Sequence, residues 1–322
     1  MQAGPCISGE RGCMGLSGID MSVNIAGVSL KNPVMTASGT FSTGDSGRFY
    51  DLSRLGAVVT KGVSLEPWEG NPTPRIAESY GGMLNSIGLQ NPGVDKYIEE
   101  ELPVLRQFGV PVIANVAGKS AAEYCGTVEK LNETDVSMLE INISCPNVKE
   151  GGIGFGTEAK IAAELTREVK KIARKPLILK LTPNVTNITE IAKAVESEGA
   201  DCVSLINTLL AMRIDIRRGK PVLANIMGGL SGPAIKPVAV RMVYQVRRAV
   251  KIPIIGMGGI MTGEDAVEFL MAGADAVSVG TAALINPTAP VDILEGLLEF
   301  MEEQEFKNIK ELKDSFDERQ EM

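Results

Sequence analysis

The sequence predicts an α/β chain folded as one (β/α)8 TIM barrel, and three observations lead there. Eight short apolar runs rich in Val, Ile and Leu recur every few dozen residues, as strands buried on both faces do. Helical patterns fill most of the gaps, and parallel strands need such crossovers. The first run leads into Ala37-Ser-Gly-Thr40 rather than a Gly-x-Gly-x-x-Gly turn, which disfavours an open dinucleotide-binding sheet. A chain of 322 residues holds one such barrel with insertions.

In chain order the expected strands are Val34–Ala37, Ala57–Thr60, Val112–Asn115, Met138–Ile143, Leu177–Leu181, Cys202–Asn207, Ile254–Met257 and Ala276–Val279. Asn187 and Glu190 form a capping-box pair opening a helix with Ile188, Ile191 and Val195 on its apolar face, and Gly199 stops it. Thr262 and Asp265 open another, with Val267, Phe269 and Leu270 buried and Gly273 as its stop. Gly199-Ala-Asp-Cys-Val-Ser204 recurs as Gly273-Ala-Asp-Ala-Val-Ser278, each time a helix stop leading into a strand. Residues 1–20 read as a loose leader, 21–316 as a catalytic barrel and 317–322 as a charged tail.

Composition excludes several functions. There is no histidine, so Ser-His-Asp and Cys-His systems and histidine-ligated metals are ruled out. With 32 basic against 40 acidic residues the net charge is −8, and no Lys/Arg cluster suits a nucleic acid. No apolar run has the length of a membrane span, and the first twenty residues lack a signal-peptide stretch. Five scattered cysteines (Cys6, Cys13, Cys125, Cys145, Cys202) are no disulfide framework and point to a reducing cytoplasm. Cys6 and Cys13 lack metal-site spacing, Cys202 reads as a buried small hydrophobe, and Cys125 as structural.

Barrel active sites lie at the C-terminal strand ends. Here the first six ends carry Ser38, Lys61, Asn115, Asn142 with Ser144-Cys145, Lys180, and Asn207-Thr208. A single polar residue there is ordinary turn chemistry; six suggest convergence on one site. The last two strands end in Gly258-Gly259 and Gly280-Thr281, suited either to tight turns or to cradling a phosphate on backbone N–H groups. Lys180 inside an apolar strand and Lys61 just past another need anionic partners, from an ion pair or a ligand. Asn85, Asn142, Asn147 and Asn207 each offer a donor and an acceptor, which suits a flat heterocycle with alternating N–H and C=O edges; Asn85 and Asn147 also suit turns. Cys145, on a loop beside cationic groups, is a candidate base.

Asn142-Ile-Ser-Cys-Pro-Asn147, Asn85-Ser-Ile-Gly-Leu89, Lys61, Lys180 and Gly229-Leu-Ser-Gly-Pro233 together resemble class 1 dihydroorotate dehydrogenases, from about Met21 to Phe316. Cysteine at the centre of the first string separates class 1 from the membrane-associated class 2. The segment Leu223–Pro237, and Ile87 where the 1A loop usually has Met, resemble the 1B type. This resemblance implies that Cys145 removes the C5 proton of dihydroorotate while hydride leaves C6 for FMN. It assigns the substrate to Lys61, Asn85, Ser86, Ile87, Gly88, Leu89, Asn142, Asn147, Asn207 and Thr208. It gives FMN to Ala37, Ser38, Lys61, Gly62, Asn115, Asn142, Lys180, Ile206, Gly232, Gly258, Gly259, Gly280 and Thr281. A partner iron–sulfur flavoprotein with FAD and [2Fe-2S], in a heterotetramer of two catalytic and two partner subunits, would pass electrons to NAD⁺.

Four other readings compete. A class 1A-like, fumarate-linked enzyme shares most of the motifs. A dihydropyrimidine dehydrogenase-like uracil reductase shares the Asn-x-Ser-Cys-Pro string, but uracil has no carboxylate for Lys61. A barrel lyase with Lys180 as Schiff-base amine leaves the asparagines and Cys145 unexplained. A flavin-binding electron-transfer scaffold would turn over no dihydroorotate.

Overall fold

All eight expected runs are strands and all pair in parallel. A computed structural model describes residues 18–41, 46–144 and 154–318. The strands are β1 (Val34–Thr36), β2 (Val58–Val59), β3 (Val112–Val116), β4 (Met138–Asn142), β5 (Leu177–Lys180), β6 (Cys202–Leu205), β7 (Ile254–Met257) and β8 (Ala276–Val279). Around the sheet they run β1-β8-β7-β6-β5-β4-β3-β2. A Met35–Ala57 bridge joins β1 to β2 and closes the barrel. At that seam the Thr36 hydroxyl accepts from the Val59 N–H (2.9 Å) and donates to the Val59 carbonyl (3.1 Å), standing in for a ladder pair.

The barrel interior follows the strand period of two. Met35, Val59, Ile113, Met138, Ile178, Cys202, Ile255 and Ala276 fill its lower part. An antiparallel hairpin of Val23–Ile25 and Val28–Leu30, which the apolar runs did not predict, plugs the N-terminal mouth with fully buried Ile25 and Leu30. Residues on the other strand faces, such as Leu139, Ile141, Leu177, Leu179 and Val203, pack under the surrounding helices.

Both expected helix starts are present, with one difference in detail. Thr262 and Asp265 form a complete capping box on Gly263–Met271. At Ile188–Ser197, Asn187 accepts instead from the Thr189 N–H, and Glu190 accepts from the Asn187 side-chain amide rather than from backbone. An asparagine cap has its own N–H donors to offer, which a threonine lacks.

The internal repeat has a structural cause. Gly199 (φ +93°) and Gly273 (φ +109°) end their helices in the left-handed region. Two residues later, Asp201 accepts from Leu177 N–H at the start of β5, and Asp275 from Ile254 N–H at the start of β7, both at 2.8 Å. Each aspartate thus fixes a neighbouring strand's register, and Lys170 and Arg247 pair with them.

The largest departure from expectation lies above the barrel. Ile76–Ser79, Gly82–Asn85, Leu209–Met212 and Met227–Ser231 form a four-stranded antiparallel sheet built from two insertions. Asn85, expected in a loop, ends one of its strands and pairs with Gly229. No helix among the described residues is long and apolar enough to cross a membrane. Of the leader only residues 18–20 are described, so Cys6 and Cys13 fall outside; of the charged tail, Asp317 and Glu318 are described, and Glu318 pairs with Arg248.

Candidate active site

Two residues along from the apolar interior layer, the same inward positions become polar. Asn115 follows Ile113, Glu140 follows Met138, Lys180 follows Ile178, Ser204 follows Cys202 and Ser278 follows Ala276. All five are buried. Four of them form one network around Glu140. One carboxylate oxygen accepts from Asn115 Nδ2 (2.6 Å) and lies 3.7 Å from Lys180 Nζ; the other accepts from Ser204 Oγ (2.7 Å). Lys180 also donates to Ser38 Oγ at 3.3 Å.

Above this floor opens a cavity of about 1070 Å³, walled by the C-terminal strand ends and by the antiparallel sheet. That exceeds the usual range for a single small ligand, about 300–1,000 Å³. Lys61 reaches into it with no hydrogen bond or ion pair among the described residues. Burial, and secondarily the charge of Lys180, hold its ammonium below the usual lysine pKa. At the buried end of the cavity two lysines stand against one carboxylate, a local positive excess that favours anions, while Glu78 stands exposed on the wall formed by the antiparallel sheet.

On one side of the cavity the amides are ordered by each other. Asn142 Oδ1 accepts from the Ser144 hydroxyl (2.5 Å), and Asn207 Nδ2 donates to Ser144 Oγ. Asn207 Oδ1 accepts from Thr208 N–H at 2.8 Å, and Tyr124 OH donates to the Asn142 carbonyl at 2.7 Å. Asn85 Nδ2 donates to Gly229 O at 3.4 Å. On the other side stand the glycine turns. Gly258 (φ +123°) and Gly259 (φ +83°) adopt consecutive left-handed conformations, and a Cβ at Gly259 would come within 2.8 Å of Gly232 O.

The family model for dihydroorotate dehydrogenase matches residues 20–301. The chain belongs to the dihydroorotate dehydrogenase family. It is 63% identical to the dihydroorotate dehydrogenase B (NAD(+)) catalytic subunit of Alkaliphilus metalliredigens, over 92% of this chain and 99% of that one. The subunits of the same name from Alkaliphilus oremlandii and Lachnoclostridium phytofermentans are 60% and 59% identical, each over 91% of this chain and over 97% and 98% of their own.

The dihydroorotate dehydrogenase barrel gathers most of the expected site residues around the one cavity. Lys61, Asn85, Ile87, Gly88, Leu89, Asn142, Asn207 and Thr208 line it on the side given to substrate. Ala37, Ser38, Gly62, Asn115, Lys180, Ile206, Gly258, Gly259, Gly280 and Thr281 line it on the side given to FMN. Two expected residues do not line it. Ser86 is buried, its hydroxyl and carbonyl accepting from Asn71 Nδ2. Gly232 (φ +102°) lies behind the Gly259 turn. Cys145 and Asn147 fall outside the described residues.

The cavity fits FMN on features of its own. Asn115 has spent its Nδ2 on Glu140, and its Oδ1 is buried with no partner, as is the Ser278 hydroxyl. Both residues belong to the cavity lining, so a ring bearing N–H and C=O groups bound against them is the available partner. Gly62 makes room for the Asn115 oxygen, since a Cβ there would lie 2.6 Å from it. The Gly258-Gly259 and Gly280-Thr281 turns supply backbone near which a phosphate can sit without side-chain interference.

Sequence reasoning missed Glu140, whose only signal was a carboxylate inside a strand buried on both faces. It also missed the wall formed by Glu78, Ser79 and Met83, and the Ser231 hydroxyl that accepts from Thr281 (2.8 Å).

Proposed function

We propose that this chain oxidises dihydroorotate to orotate in pyrimidine biosynthesis, on FMN held in the cavity, with electrons reaching NAD⁺ through a partner subunit. The observation that carries the reading is one continuous cavity. It joins a half suited to a flavin and its phosphate to a half with three asparagines and a lysine that has no partner among the described residues.

Lys180 and Asn115 would face the pyrimidine edge of FMN, with Gly258, Gly259, Gly280 and Thr281 along its phosphate side. FMN supplies the acceptor for the hydride that leaves C6. Lys61 pairs with the substrate carboxylate, which relieves the burial of an unpartnered ammonium. Asn142, Asn207 and Asn85 hold the amide edges of the pyrimidine; because each amide is already fixed by a neighbour, little ordering remains to be done on binding. Cys145, three residues past Asn142 in the sequence, takes the C5 proton, and Asn147 binds the substrate. Lys180 as a Schiff-base amine is disfavoured by its ammonium's place 3.7 Å from a buried carboxylate.

FAD and a [2Fe-2S] cluster belong to the partner, in a cytoplasmic assembly of two catalytic and two partner subunits. Leu210, Met212, Ile214 and Ile216 stand exposed on and beside the antiparallel sheet, apolar surface of the kind that interfaces cover. Absorbance of the FMN-loaded chain, before and after anaerobic dihydroorotate, tests the reading. Bleaching of the flavin band is expected; a flavin that stays oxidised overturns it.

A further inference from the structure

Among the described residues Glu140 is the one buried carboxylate at the base of the cavity, and two of its three polar contacts are to groups that line it. Its side chain is 2% exposed. Asn115 and Lys180, which it holds, line the cavity; Ser204, which donates to it from β6, does not. A carboxylate has only acceptor positions, so it dictates the direction of each neighbour. Asn115 must present Nδ2 to Glu140, and therefore Oδ1 to Gly62, which lines the cavity beside it. Were residue 140 apolar, that amide would have no reason to prefer either orientation. Two ammonium groups, Lys61 and Lys180, would then stand at the base of the cavity with no buried counter-charge among the described residues.

We propose that Glu140 is a positioning residue for the flavin half-reaction: it orients the Asn115 amide and sets the positive charge that Lys180 presents to the bound cofactor. The proposal rests on the reading of this cavity as an FMN site. Glu140 touches neither ligand; it acts through Asn115 and Lys180. Its negative charge offsets Lys180, so the buried end of the cavity, where Lys61 and Lys180 stand, carries one net positive charge instead of two. A reduced flavin is richer in electrons than an oxidised one, and Glu140 therefore holds down the preference for the reduced form.

Replacement Glu140→Gln is nearly isosteric and separates charge from shape. The amide oxygen of Gln still accepts from Asn115, and its NH2 donates to Ser204, whose hydroxyl can turn to accept. The expected result is a folded, FMN-binding protein in which the ratio of reduced-flavin to oxidised-flavin affinity rises roughly tenfold. For a two-electron couple that is a shift of about +30 mV in the flavin midpoint potential. Glu140→Asp keeps the charge but is one methylene too short to hold Asn115 and Ser204 together. It is expected to leave the potential near that of the unaltered protein while weakening FMN binding several-fold.

A role confined to packing would move neither the potential in Glu140→Gln nor the affinity in Glu140→Asp. An unmoved potential in Glu140→Gln, with intact thermal unfolding, overturns the proposal. Failure of both variants to fold also overturns it, since Glu140 would then be a residue of the fold alone. The unaltered chain is run in parallel. If it takes up FMN and is bleached by dihydroorotate while Glu140→Gln has an unmoved potential, only the role of Glu140 is lost. If it takes up no FMN, the functional reading fails and this inference falls with it.

Discussion

One half of the cavity is built from side chains and the other from backbone. Strands β3 to β6 deliver Asn115, Asn142, Lys180 and, just past the strand, Asn207, each fixed by a hydrogen bond or ion pair to a neighbour. Strands β7 and β8 deliver glycine turns, with Gly258 and Gly259 in the left-handed region. Side chains carry charge and direction, so they distinguish one heterocycle from another. Exposed backbone N–H groups recognise any phosphate, provided nothing protrudes between. The side-chain half should therefore fail by losing chemistry, and the backbone half by gaining a methyl group.

The sharpest break is expected at Cys145. Cys145→Ser should leave FMN bound and slow flavin reduction by dihydroorotate by roughly 10²–10⁴-fold at neutral pH, because an alcohol is a far weaker base. Rapid-mixing absorbance measures it, and an unaltered rate removes Cys145 from the chemistry. Lys61→Ala comes next. Losing a charge-assisted contact to the orotate carboxylate should weaken orotate by about 1.5–3 kcal/mol while FMN uptake is kept. Orotate titration against the flavin spectrum reads this, and equal affinity would refute the carboxylate role.

The two halves were also unequally legible in the sequence. The glycine turns could be read because Gly258-Gly259 and Gly280 sit at the ends of unmistakable apolar runs. Lys180 stood out for the same reason, a charge where period two demands an inward side chain. Glu140 lay under the same rule but reads as an isolated carboxylate until Asn115, Lys180 and Ser204 are brought to it from three other strands. The antiparallel sheet escaped because its strands are only four or five residues long, and one of them, Met227–Ser231, is interrupted by two glycines. Its partners also lie far apart: Asn85 pairs with Gly229, a register no local pattern announces. The N-terminal plug, two strands of three residues around Ala26-Gly27, is too brief to show a period.

A methyl group should separate the halves from the other direction. Gly259→Ala places a Cβ within 2.9 Å of Lys236 N and 2.8 Å of Gly232 O, at a φ of +83°. The strain of that conformation alone is about 1–2 kcal/mol. It should appear as a roughly tenfold loss of FMN affinity, with orotate binding to the remaining loaded protein unchanged. Equal losses for both ligands would mean that the cavity does not divide as described.

The mildest effect tests the side-chain half through a proton. Burial first, and the charge of Lys180 second, lower the Lys61 pKa in the free protein. A bound carboxylate favours the charged amine and raises that pKa again. Binding therefore selects protonated Lys61, and above its free-state pKa the protein must take up a proton to bind orotate. Affinity should fall as pH rises through that lowered value, by at most about tenfold per pH unit. The decline should begin below the pH at which an ordinary lysine titrates. Lys61→Ala removes the titrating group, so its weaker orotate affinity should lack this contribution to the slope. Parallel alkaline slopes in the two proteins would place the proton elsewhere in the cavity and leave Lys61 as a fixed charge.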